Sequence, residues 1–186
     1  VWKKPIIPIN HLVGHIYANF VETMNHEPLT INFPAIVLIV SGGHTDLLLM
    51  KSHGNFKLIG GTRDDAAGEA FDKIGRLLGI PYPAGPIIEK LAERGDDSRF
   101  TFPRPMIYSK DFDFSFSGLK TAVLRKVSGI KYQVLSRETK ANLAASVQTA
   151  IVDVLVAKTL KAAQKYKVKS ILLSGGVAAN QKLRDK

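Results

Sequence analysis

The stretch Ala35–Met50, AIVLIVSGGHTDLLLM, constrains the fold more than any other part of the chain. Six apolar residues, Ala35 to Val40, follow one another without alternation, the pattern of a strand covered on both faces. Ser41-Gly42-Gly43-His44-Thr45 interrupts the run, and Asp46 to Met50 resumes it. The simplest reading is two buried strands joined by a short turn. Two adjacent glycines let that turn take positive φ and bring bare N–H groups close to a ligand, which makes an anion cradle without a charged side chain. The alternative is an ordinary hairpin turn.

A chain of 186 residues can form one large domain or two small ones with a real core. Its 45% hydrophobic content holds no run of 18 uncharged apolar residues, so a soluble globular protein without a membrane span is expected. The absence of cysteine excludes disulfides and thiolate metal sites and suits an intracellular setting. Val1-Trp2-Lys3-Lys4-Pro5 lacks the apolar core of a signal peptide. The first residue is not Met, and the charged run Lys182–Lys186 follows closely on a helix start, the look of an excerpt from a longer protein. With 26 basic against 16 acidic residues the net charge is +10, which favours a polyanionic partner, nucleic acid first.

Asn10 is placed to cap a helix from His11 to about Met24. His11 and His15, at i and i+4, leave one face of it and can share a divalent ion. A zinc peptidase would need Glu directly after the first His, and Leu12 stands there. One His pair is an incomplete site, and two histidines on a surface helix is the plain alternative. His26 and His53 read as surface loop residues. Asn25–Pro34 is a polar linker, and Asn55–Gly60 reads as a third strand that completes a meander. Ala66–Leu78 has helical periodicity. Asp64, Asp65 and Glu69 near its start complement the helix dipole. Asp72 lies beyond the first turn and is a candidate acceptor for a ligand's hydroxyls. Ile80–Pro86 reads as a rigid loop whose flexible point, Gly85, can admit a ligand or simply turn; a helix is expected over 87–94.

Arg99–Arg137 carries eight basic residues against two acids, and seven of the fifteen aromatics. Within it Asp111–Gly118 alternates strictly, a half-buried strand or extended arm whose phenylalanines pack inward. Arg99, Arg104, Lys110, Lys120, Arg125, Lys126 and Lys131 are the nucleic-acid candidates by charge; a solvated basic face is the alternative. Ser136 can cap a long helix to about Lys167 that is apolar nearly all round and so lies against the sheet. Ser170–Leu173 is a further strand. Ser174-Gly175-Gly176 then repeats the glycine turn before a helix starting near Ala178, an arrangement that seats nucleotides. Two such turns in one domain favour a nucleotide between them.

Six segments in order, HLVGH (11–15), LIVSGGHT (38–45), DDAAGEAFDK (64–73), YPAGP (82–86), DFSFSGLKT (113–121) and SGGVAAN (174–180), resemble the tRNA N6-adenosine threonylcarbamoyltransferase family, in its bacterial form. The resemblance implies an α/β fold of actin-like ATPase (ribonuclease-H-like) lobes, each a mixed sheet flanked by helices. Residues 1–30 would end the first lobe, and 31–186 would form the second, with a basic aromatic insertion at 95–137 and its C-terminus missing. It implies that His11 and His15 ligate one divalent metal, Fe2+ in the family, with Zn2+ or Mg2+ as alternatives, and that a third ligand, an Asp, lies beyond Lys186. It implies that Ile39, Val40, Ser41, Gly42 and Gly43 line threonylcarbamoyl-AMP, with Asp72, Gly85, Glu89 and Asn180 completing the pocket.

The activity implied is an acyltransferase reaction: transfer of the threonylcarbamoyl group to N6 of the adenosine beside the anticodon in tRNA. Partners would be tRNA, threonylcarbamoyl-AMP, an ATP- or AMP-type nucleotide and bacterial proteins of the same modification complex, in the cytoplasm and without a membrane. The rivals are an ATPase or kinase of the same fold and a non-catalytic nucleotide-binding scaffold. His44 has no assigned role.

Overall fold

The computed structural model describes residues 5–21, 31–129 and 135–186. At its centre is a four-stranded sheet in the order β3-β2-β1-β4, built from β1 (Ala35–Val40), β2 (Thr45–Ser52), β3 (Asn55–Gly61) and β4 (Ser170–Ser174). The first three strands form the expected antiparallel meander, with Ala35 opposite Met50 and Val40 opposite Thr45. β4 runs parallel to β1, Ile39 opposite Ser174. A parallel neighbour requires a long crossover, and four helices fill it: α2 (Ala67–Leu77), α3 (Ala84–Ala92), α4 (Ser117–Gly129) and α5 (Arg137–Tyr166). The expected mixed sheet flanked by helices is what the chain builds.

All six residues of β1 are buried, because both faces of the sheet are covered. Ile36, Leu38 and Val40 join Leu47 and Leu49 beneath the crossover helices, where Phe71, Ile74, Phe114, Phe116 and Ile151 complete the main core. Ala35, Val37 and Ile39 face the other way with Met50 and Leu172, and meet Ile16 of α1 (His11–Tyr17). α5 is capped by Ser136, whose Oγ accepts the Thr139 N–H at 3.1 Å, and ends where Lys167 turns left-handed at φ 49°. By length and composition α5 could cross a bilayer, yet 78% of its most apolar window is buried inside the fold. Its apolar character is that of a core helix, buried nearly all round from Ala141 to Thr159, with Leu160 exposed.

Several boundaries differ from the sequence reading. α1 gives way to a 3-10 turn at Ala18–Phe20 and Val21 is extended, so the helix stops short of Met24. Asn19 ends it by donating its side-chain N–H to the Ile16 carbonyl at 3.1 Å. His26, most of the 25–34 linker and the expected boundary at residue 30 lie outside the described residues, as does Lys131. α3 begins at Ala84 rather than Ile87, so Gly85 belongs to a helix and not to a loop. Pro86 is tolerated because the first turn needs no N–H donor there. The alternating Asp111–Gly118 makes a single bridge, Phe114 to Thr62, and runs into α4, a helix the sequence pattern did not announce. Phe112, Phe114 and Phe116 pack inward as expected. After β4 a 3-10 turn, Gly176–Ala179, precedes α6 (Gln181–Asp185), which starts three residues later than the glycine turn suggested.

Candidate functional site: a glycine-walled cleft beside a histidine pair

Adjacent parallel strands leave a crevice beyond their carboxyl ends. β1 and β4 end there in Ser41-Gly42-Gly43 and Ser174-Gly175-Gly176, so the two glycine turns are neighbours in space. Gly175 has φ 91°, and a Cβ on it would strike the Val40 carbonyl oxygen. No other residue fits that corner. The first turn closes on itself: Ser41 N–H donates to the His44 carbonyl at 2.8 Å, while Ser41 Oγ accepts the N–H groups of Gly43 at 3.3 Å and His44 at 3.1 Å. Among the described residues the N–H groups of Gly42, Gly176 and Val177 have no internal acceptor, which leaves them for a ligand.

α2 starts directly against this turn. Gly68 N–H donates to the Ser41 carbonyl at 3.1 Å, and a Cβ at Gly68 would lie 2.5 Å from that oxygen and 2.8 Å from Gly42 Cα. Ala66 offers no capping side chain, and the buried Thr45 takes its place, its Oγ1 accepting the Ala67 N–H at 2.8 Å.

The result is a cleft of about 260 Å³ with Gly42 and Gly176 on one wall and Asp72, Gly85 and Glu89 on another, closed by Asn180. Of the expected substrate contacts, these are the ones the fold brings together, and Ser41 and Gly43 adjoin them in the turn. Ile39 and Val40 are fully buried with side chains on opposite sheet faces, and neither lines the cleft. The polar residues also do structural work. Asp72 Oδ1 accepts the Ala84 N–H at 2.8 Å, capping α3 where Pro83 cannot. Glu89 Oε1 accepts the Gln181 N–H at 2.6 Å. Asn180 caps α6 through Leu183 N–H at 3.1 Å and donates to Gln148 Oε1 at 2.8 Å. Phe71, Tyr82 and Val177 also line the cleft, and the sequence reading missed them. Tyr82 carried a signal in its proline bracket; Val177 carried none.

The histidines lie on α1, which packs through Ile16 against the opposite sheet face. Asn10 Oδ1 accepts the N–H groups of Leu12 and Val13 at 2.9 and 3.3 Å, as its capping role requires. His11 Nε2 and His15 Nε2 approach to 3.1 Å. Two imidazole nitrogens bound to one ion at metal–nitrogen distances near 2.0–2.1 Å lie about 3.0–3.4 Å apart, so the pair fits two positions of a shared divalent ion. The same approach is met by one ring donating a hydrogen bond to the other. Among the described residues no set of three His, Asp or Glu side chains is placed to hold a metal. His44 points toward the pair, its ring 6.3 Å from that of His11. On the same face Asp46, opposite Ile39, has its carboxyl pushed up by burial, with His44 acting against that shift. Ser174 joins the two regions: its Oγ accepts from Asn19 Nδ2 at 2.6 Å and donates to the His15 carbonyl at 2.7 Å.

Beyond the cleft, Asp64 does not serve α2. It accepts from Ser115 and Ser117 hydroxyls at 2.6 and 2.7 Å and from the Phe116 and Ser117 N–H groups at 2.8 and 3.3 Å, holding the start of α4. Burial raises its carboxyl, but these four bonds outweigh burial and hold it below the usual carboxylate range. Asp65 pairs with Lys73 at 2.5 Å, as does Glu69 at 2.7 Å. Among the basic candidates Arg104 is bound to Asp153 at 2.8 Å and Lys126 lies 5.3 Å over the Phe100 ring. Arg99, Lys110, Lys120 and Arg125 form no ion pair among the described residues.

Comparison with known proteins places these features in a family. The family model for tRNA N6-adenosine threonylcarbamoyltransferase matches residues 1–186. The protein of that name from Thermosipho africanus is 51% identical over 183 residues, covering 98% of this chain and 53% of its own length. The one from Lactiplantibacillus plantarum is 52% identical over 185 residues, covering 99% of this chain and 51% of its own. The chain thus spans about half the length of the curated relatives it matches.

Proposed function

Because the chain belongs to the tRNA N6-adenosine threonylcarbamoyltransferase family, we propose that it forms part of an acyltransferase that moves the threonylcarbamoyl group from threonylcarbamoyl-AMP to N6 of the adenosine beside the anticodon in tRNA. The observation that carries this reading is the meeting of two glycine turns, Asp72 and Asn180 on one cleft of about 260 Å³. The cleft offers backbone donors for a phosphate and a carboxylate for ribose hydroxyls, the needs of an adenylate. The Gly42, Gly176 and Val177 N–H groups would hold the phosphate, and the second oxygen of Asp72 would accept from the ribose. Gly85 leaves the wall open where the ligand passes, and no atom lies within 4 Å of where its Cβ would be.

His11 and His15 would hold a divalent ion, which supplies Lewis-acid polarisation of the acyl group. The ion is Fe2+ on the family's pattern, with Zn2+ or Mg2+ as alternatives. The adenine N6 amine attacks the carbamoyl carbonyl, the C–O bond to phosphate breaks, the amine loses a proton and AMP leaves. The target base would be presented from a loop, where unpaired bases can be turned out into a pocket. Bacterial proteins of the same modification complex are the proposed partners, and the cytoplasm is the proposed setting.

The test is transfer of labelled threonylcarbamoyl from its adenylate to unmodified tRNA, by the full-length protein with those partners. Combined His11→Ala and His15→Ala should abolish bound metal by elemental analysis and lower the rate by about a hundredfold or more. An unchanged rate removes the metal role. ATP turnover without tRNA would favour a kinase-like enzyme, and nucleotide binding without transfer a scaffold.

A further inference from the structure

Away from the cleft, the loop from Arg104 to Asp111 holds one aromatic ring out in solvent. Tyr108 is 95% exposed, yet the backbone around it is tied at several points. Arg104 grips Asp153 Oδ2 through Nε at 3.0 Å and a terminal nitrogen at 2.8 Å. Met106, a non-glycine residue at φ 58°, closes a turn in which Ser109 N–H donates to its carbonyl at 2.9 Å. Two lysines of α5 hold the far side. The fully buried Lys158 donates to Ser109 Oγ at 2.5 Å and the Asp111 carbonyl at 3.0 Å, and Lys161 donates to the Ser109 and Lys110 carbonyls at 2.5 and 3.0 Å. Strained backbone held by such anchors marks a loop whose shape is needed.

The surroundings of Tyr108 are cationic. Lys110 is exposed, and the Nζ atoms of Lys161 and Lys165 lie 5.8 and 5.2 Å from the Phe112 ring centre, next along the chain. The acids nearby are neutralised: Asp111 and Asp113 both bind Arg63 at 2.9 Å, and Asp111 also faces Lys158. A rigidly presented aromatic face among cations that have no carboxylate partner among the described residues is the combination that binds single-stranded nucleic acid. The ring stacks on an unpaired base and the cations take phosphates.

We propose that Tyr108, Lys110 and Lys165 form a docking surface for unpaired nucleotides of RNA, separate from the transfer cleft. The inference rests on the tRNA reading above for the identity of that RNA.

The test is binding of an unmodified tRNA transcript to the full chain by fluorescence anisotropy. Tyr108→Ala should weaken binding about tenfold and Tyr108→Phe should restore it. Lys110→Ala with Lys165→Ala should weaken binding and flatten its salt dependence by about one unit of log–log slope per lysine. AMP affinity, a measure of the cleft, should stay unchanged in each. Unaltered tRNA affinity in Tyr108→Ala and in the double lysine variant overturns the surface and leaves the transfer reading standing. If those variants instead lose self-association, the surface docks protein and the inference is overturned. A wild-type chain without tRNA affinity overturns both.

Discussion

At the scale of single residues, two glycines of the same turn do different work. Gly175 occupies backbone that a side chain rarely adopts, with the Val40 carbonyl where its Cβ would be. Gly176 has ordinary φ and no atom within 4 Å of its Cβ position. Gly175→Ala should therefore cost about 2–3 kcal/mol of stability in chemical denaturation. Gly176→Ala should leave stability within about 0.5 kcal/mol and still weaken AMP binding by calorimetry, because its methyl enters the cleft. Equal losses from both substitutions would refute the distinction. Sequence alone treats the two as one motif; the fold separates them, because only the first lies against the end of β1.

At the scale of elements, the residues at 64–73 and 113–121 form one assembly. Asp64, from the turn before α2, caps α4 across 53 positions of sequence to Ser117. Its carboxyl is held below the usual range, so the bonds contribute fully above the unfolded value near pH 4 and are lost as pH falls through the lower folded value. Acid should thus loosen α4 before the sheet. Asp64→Asn should remove that part of the pH dependence below about pH 4, measured by hydrogen exchange at the α4 amides. A wild-type acid profile in the Asp64→Asn protein would assign the effect elsewhere. The helix dipole of α2 was the natural reading of an acid at that place, and the true partner lay too far along the chain for local spacing to show.

At the scale of the whole molecule, the cleft and the histidine pair meet near the ends of β1 and β4: Gly42 lines the cleft, the ring of His44 two residues on lies 6.3 Å from that of His11, and α1 is tied to β4 by Ser174. It belongs to the second glycine turn, yet its hydroxyl contacts Asn19 and the His15 carbonyl. Ser174→Ala should lower stability by about 1–2 kcal/mol, the usual consequence of unpairing part-buried groups. It should also weaken divalent-ion affinity several-fold while AMP affinity holds, since α1 loses its tether to β4 but the cleft walls do not move. Coupled loss of both affinities would mean that Ser174 also shapes the cleft.

The strands, the meander, the long core helix and the inward phenylalanines were legible in residue order. Each rests on periodicity or on an unbroken apolar run, and burial reads those patterns directly. Both glycine turns were legible too, because backbone freedom is written in residue type. Other roles came only with the closed fold. Asp72, Glu89 and Asn180 each cap a helix as well as face the cleft, and α4 begins where Asp64 can hold it, a helix that residue order did not announce after the extended 111–118 pattern. His44, silent in the sequence, is carried toward His11 by the turn that β1 and β2 impose. Such roles depend on which distant backbone groups need a partner, and that is settled only when the chain closes on itself.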